Sequence, residues 1–84
     1  MEFQKETGRI YAEKDGELIA EITFPEEDGV AVIDHTFVDD SLRGQGVAGQ
    51  LVQAALAQIR ERGGTPAATC TYAVSWLEKH PEQA

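Results

Sequence analysis

Leu42-Arg43-Gly44-Gln45-Gly46-Val47-Ala48-Gly49 stands between an apolar run that reads as a strand and a long periodic run that reads as a helix. Three glycines within Gly44–Gly49 at the mouth of a helix let the backbone approach a ligand closely. The free N–H groups and positive dipole end of such a helix favour a phosphate. A tight strand-to-helix turn is the plainer reading of the same glycines. One glycine suffices for a turn, however, and here an arginine precedes three.

Downstream, Val47, Leu51, Val52, Ala55, Leu56 and Ile59 recur at helical spacing, which predicts an amphipathic helix from about residue 46 to 62. Arg60 and Arg62 suit its negative end, and Gly63-Gly64 provides the stop. Ala67–Thr71 then reads as a short strand parallel to the one before the glycines, closing a right-handed crossover. A last short helix, Tyr72 to about Lys79, is expected to bury Val74 and Leu77, with Ala73 as a further candidate; Pro81 ends it and Glu82-Gln83-Ala84 is expected to fray.

Upstream, Val30–Val38 is rich in β-branched and aromatic residues and reads as one central strand. Strict alternation puts His35 and Phe37 on the face of Ile33, and Asp34 and Thr36 on the other. Before it, Arg9–Glu13 and Glu17–Phe24 flank Lys14-Asp15-Gly16, a strong signal for an antiparallel hairpin with a type I′ turn. Pro25-Glu26-Glu27-Asp28-Gly29 reads as a second exposed turn. These elements predict a single α+β domain over residues 1–84: a mostly antiparallel sheet, one parallel β-α-β crossover and a short C-terminal helix.

The chain has 84 residues, 42% of them apolar, and no apolar run approaches the roughly 20 residues of a membrane span. Fifteen acidic against seven basic residues give a net charge of −8, which argues against nucleic acid as a partner. Cys70 is the only cysteine, and the first residues lack a secretory pattern, so a cytoplasmic setting is expected. No Cys/His cluster has metal spacing, and no serine-triad pattern is present.

Gly44-x-Gly46-x-x-Gly49 also matches the dinucleotide fingerprint, but a ribose-binding acid about 20 positions on is missing from Ala67–Tyr72. A P-loop fails as well, for want of a Lys-Ser/Thr pair. Read from one residue earlier, Arg43-x-x-Gly46-x-Ala48 resembles the Q/R-x-x-G-x-G/A signature of the Gcn5-related N-acetyltransferase superfamily. His35-Thr36, Val38, Leu42–Gly46, Leu51-Val52, Cys70-x-Tyr72 and His80-Pro81-Glu82 together resemble its minimal, YjdJ-like members. One departure is Ala68 where those members carry a proline, the proline of this chain being Pro66.

The resemblance implies a strand splayed from its parallel neighbour, with acetyl-CoA in the cleft. Arg43, Gly44, Gln45, Gly46, Val47, Ala48 and Gly49 would hold the pyrophosphate, and Phe37 and Val38 would line the pantetheine. A backbone N–H near Val38 would polarise the thioester carbonyl. His35 is the candidate base and Tyr72 the candidate acid for the departing thiolate, each with a purely structural role as the alternative. Cys70 is expected near the coenzyme sulfur, as bystander or nucleophile, and Asp34 and Thr36 could serve a water-mediated base. His80 reads as a helix C-terminal residue favoured by the dipole.

The function so implied is acetyl transfer from acetyl-CoA to an amine on a small molecule or protein. A non-catalytic acyl-CoA-binding module is the alternative, and a dinucleotide-binding fragment a third. With no room for the additional helices and strands of larger relatives, the acceptor site is expected to be open or completed by a second subunit or a partner protein.

Overall fold

The computed structural model describes residues 2–83. Two hairpins open the chain. β1 (Gln4–Glu6), which the sequence does not announce, pairs antiparallel with β2 (Arg9–Lys14), and β2 pairs antiparallel with β3 (Glu17–Thr23). The Asp15-Gly16 turn between β2 and β3 has both central residues at positive φ, 54° and 78°, as a type I′ turn requires. The acidic turn repeats the device. A two-residue strand β4 (Glu26–Glu27) turns through Asp28 and Gly29 into β5 (Val30–Ile33).

Residues 30–38 depart from the single strand expected of them. They break at Asp34 into β5 and β6 (His35–Val38). One edge of this ribbon stays paired throughout: β6 runs antiparallel to β3 and β5 antiparallel to β4. Hydrogen bonds from Asp34 N–H to Thr23 O (3.2 Å) and from Val32 N–H to Pro25 O (3.0 Å) bridge the join. The other edge is paired only along β5, whose parallel neighbour is β7 (Thr65–Ala68), in register from Val30↔Thr65 to Ile33↔Ala68. Thr69 N–H and Cys70 N–H both donate to Ile33 O, at 3.0 and 3.1 Å, and are the last ties. Past Ile33 the parallel strands separate.

The break also exchanges faces. Pairing passes from Thr23↔His35 to Glu26↔Ala31, so the ribbon carries one more residue than its partner across this interval, a bulge. One extra residue advances the alternation by one. Ile33 is therefore fully buried while Phe37 is 37% exposed, and Thr36 and Val38 take the core side, opposite Ile22 and Ala20. The expectation that His35 and Phe37 share the face of Ile33 is corrected.

α1 (Val47–Glu61) buries the six residues its periodicity marks, packing them on β2, β3 and β6 against Ile10, Ala12, Ala20, Ile22 and Phe24. Gly63, at φ 73°, supplies the left-handed turn after it. α2 (Thr71–Lys79) buries Ala73, as expected, together with Trp76; Val74 is exposed and Leu77 only partly packed. Trp76 packs toward α1, where Gly49 lies in ordinary contact range of its indole. The last residues form a 3₁₀ turn, Pro81–Gln83, held by Arg60, which donates to Gln83 O at 2.5 Å; Ala84 lies outside the described residues. The result is a small α+β fold, mostly antiparallel, with the one parallel β5–β7 pairing and two helices.

Candidate functional site

The glycine loop starts from a rigid turn. Asp39 accepts from Ser41 Oγ at 2.6 Å and Ser41 N–H at 3.0 Å, and those two bonds hold its carboxyl below the usual range. A 3₁₀ turn over Asp40–Leu42 follows, and Gly44 (φ 83°) and Gly46 (φ 72°) then steer the chain into α1. A side chain is strained at either angle. Gln50 N–H is the first to close on the helix, donating to Gly46 O at 3.1 Å. The N–H groups of Gly46, Val47, Ala48 and Gly49 are thus without intrahelical acceptors, and no acidic residue occupies the first turn. Free N–H groups of this kind are what an anion can accept hydrogen bonds from.

This helix start opens on a cavity of about 220 Å³, walled by Val38, Asp39, Asp40, Leu42 and Arg43 on one side and Tyr72 on the other. The Arg43 guanidinium sits at the rim, 82% exposed and 2.9 Å from Asp40 Oδ1. Burial pushes the Tyr72 phenol up, so its hydroxyl stays protonated, as a proton donor must. Val38, Arg43, Gly44, Gly46, Val47, Ala48, Gly49 and Tyr72 are brought together here. Gln45 and Phe37 are not among the lining residues, and Phe37 points to the opposite face of the sheet.

The open edge of β6 continues the cavity inward. Asp39 N–H donates to Ile19 O at 2.8 Å, and in an antiparallel pair successive residues point their N–H groups to opposite edges. With Asp39 and Phe37 turned toward β3, the N–H groups of Thr36 and Val38 face the gap left where β7 departs. At its inner end Cys70 Sγ lies 3.6 Å from Thr36 Oγ1. Burial raises the Cys70 thiol, but the Ala73 N–H, the Thr36 hydroxyl and the N–H groups of Tyr72 and Thr36 outweigh it, and the thiol lies below its ordinary value. Position supplies this effect: Cys70 is the residue at which α2 begins, and helix starts favour thiolate.

His35 stands apart from the cavity, on the sheet face turned away from α1, its side chain 52% exposed and its Nε2 3.3 Å from Glu21 Oε1. Sequence reasoning passed over Glu21. Its one signal was a carboxylate at an outward position in an otherwise apolar strand. Asp34 accepts from Thr23 Oγ1 at 2.5 Å and faces solvent. His80 behaves as its position suggests, with Nδ1 2.8 Å from Trp76 O and its ring stacked on the indole at 4.0 Å.

Among family models, that of the GCN5-related N-acetyltransferases matches residues 9–84. The chain belongs to this family. Solved structures agree with the membership. A GCN5-like protein from Staphylococcus aureus, solved by NMR, is 32% identical with a TM-score of 0.79, covering 98% of this chain and 82% of its own. A GNAT-family acetyltransferase from Brucella melitensis, crystallised with acetyl-CoA, is 29% identical with a TM-score of 0.57 over 67% of this chain. A transcriptional regulator from Bacillus halodurans is 25% identical with a TM-score of 0.65 over 89% of this chain. The chain spans only 40% and 59% of the lengths of these last two. No curated protein matches it in sequence. No helix among the described residues is long and apolar enough to cross a membrane.

Proposed function

We propose that this GNAT-family chain is an acetyl-CoA-dependent N-acetyltransferase of the minimal YjdJ-like kind, passing acetyl directly to an amine on a small molecule or a protein. The observation that carries the reading is a juxtaposition: a helix start with four unsatisfied N–H groups opens into a gap where a strand has lost its parallel neighbour. Gly44 to Gly49 would hold the pyrophosphate, with Arg43 leaving Asp40 to meet a phosphate oxygen. Val38 would lie along the pantetheine, and the Thr36 and Val38 N–H groups are the donors available to a carbonyl oxygen as negative charge develops on it. Phe37, on the far face, could help only from the acceptor side.

For the transfer, His35 takes a proton from the acceptor ammonium. The C–N bond forms as the C–S bond breaks, Tyr72 supplies the proton that the sulfur needs, and the second proton lost by the nitrogen restores the phenol. Cys70 lies where an acyl acceptor could stand, and its lowered thiol supports that role as an alternative first acceptor. Calorimetry with acetyl-CoA tests the binding, and release of CoA thiol with candidate amines tests the transfer. Absence of binding overturns the reading.

A second reading, a non-catalytic acyl-CoA-binding module, is favoured by one observation: His35 does not line the cavity that holds the other candidates. Binding without thiol release would select it. A second copy of the chain or a partner protein completing the acceptor site fits the small share of larger relatives that the chain spans.

A further inference from the structure

The face of the sheet turned away from α1 carries two cross-strand rows. Arg9, Thr23 and His35 form one, and Tyr11, Glu21 and Phe37 the other. α1 packs on β2, β3 and β6 from the opposite side, while α2 packs on α1 and β7. On this open face Glu21 divides its carboxylate. Oε2 accepts from Arg9 Nε at 2.6 Å, and Oε1 lies 3.3 Å from His35 Nε2. Arg9 is itself held, its guanidinium 3.8 Å over the Tyr11 ring and 3.4 Å from Glu6 Oε1. Glu21 is the least exposed of these charged groups, at 17%, whereas the His35 side chain is 52% exposed.

We propose that Glu21 is a positioning residue for His35 in acetyl transfer, holding the ring in place on the open face of the sheet. This rests on the acetyltransferase reading above. A carboxylate oxygen facing the ring can only accept, so the proton of neutral His35 is held on Nε2 and the lone pair is left on Nδ1, turned to solvent. With its other oxygen pinned by Arg9, the carboxylate stays in place against the ring while Nδ1 takes the ammonium proton. Glu6 reaches the ring only through Arg9, and Asp34, adjacent in sequence, is engaged by Thr23.

The test is steady-state kinetics with acetyl-CoA and a primary amine, on Glu21→Gln, Glu21→Asp, His35→Ala and the double variant of His35→Ala with Glu21→Gln. Glu21→Gln should reduce kcat about tenfold and leave acetyl-CoA affinity unchanged, and Glu21→Asp should recover part of the loss. In the His35→Ala background Glu21→Gln should cost nothing further, because its effect passes through the ring. An unchanged kcat in Glu21→Gln, or a loss that is as large without His35, overturns the role of Glu21 and leaves the enzyme reading standing. Wild-type protein that binds no acetyl-CoA or transfers no acetyl overturns both. If Glu21→Gln melts well below wild type, Glu21→Asp with and without His35→Ala carries the same decision.

Discussion

β5 and β6 are consecutive pieces of one apolar run, yet they do different things. β5 has a neighbour on both edges, and its Ile33 is sealed in the core. β6 keeps its antiparallel neighbour and loses the parallel one, so it presents two N–H groups to a gap, and its outer side chains to solvent. Composition does not distinguish the two; the number of paired edges does. A strand paired on both sides contributes stability, and one paired on a single side has backbone to spare for a ligand.

If this contrast is right, substitutions in β5 register in unfolding and those around β6 in binding and turnover. The largest effect on stability is expected for Ile33→Ala, about 2–5 kcal/mol by chemical denaturation, against about 0.5 kcal/mol or less for Phe37→Ala. Equal losses would break the contrast. Ala48→Glu sets a carboxylate among the free N–H groups of α1, and calorimetry should show acetyl-CoA affinity falling at least about tenfold, near the upper end of a charge–dipole effect, with the fold retained. Val38→Pro removes an N–H that no strand uses, so turnover should fall by about a hundredfold, while the stability lost should be no more than the partly buried side chain accounts for, about 1–2 kcal/mol. Turnover that survives the substitution would mean that the Val38 N–H takes no part.

Two smaller effects sharpen the picture at the ends of the gap. Because the Cys70 thiol lies below its ordinary value, its alkylation by iodoacetamide should reach half-maximal rate at a lower pH than a model thiol. Thr36→Val removes one of the groups responsible and should shift that midpoint back up. Asp40→Asn releases Arg43 from its exposed ion pair and should tighten acetyl-CoA binding by roughly twofold to fivefold, an effect erased by high salt.

Much of this architecture was legible beforehand. Helical periodicity identified all six buried residues of α1, and Asp15-Gly16 announced its turn because few residue pairs tolerate two positive φ angles. The glycines of this loop differ in what the backbone asks of them: Gly44 and Gly46 hold positive φ angles, whereas Gly49 is helical and faces Trp76 and Tyr72. Alternation failed at Asp34 since a bulge leaves no mark in hydrophobicity. Val74 was misassigned because the buried face of so short a helix depends on what it meets, here α1 and β7. Glu21 was missed because its partners, Arg9 and His35, lie on other strands.

By itself, then, the sequence determined the local elements and the glycine-rich helix start, which follow from the spacing of apolar residues and from turns at positive φ. These are short-range properties, written in neighbouring residues. Tertiary structure alone decided where the parallel strands part, which N–H groups of β6 are left over, that Cys70 meets Thr36, and that His35 stands with Glu21 on the far face. Each depends on register between segments distant along the chain, and one extra residue at Asp34 was enough to set it.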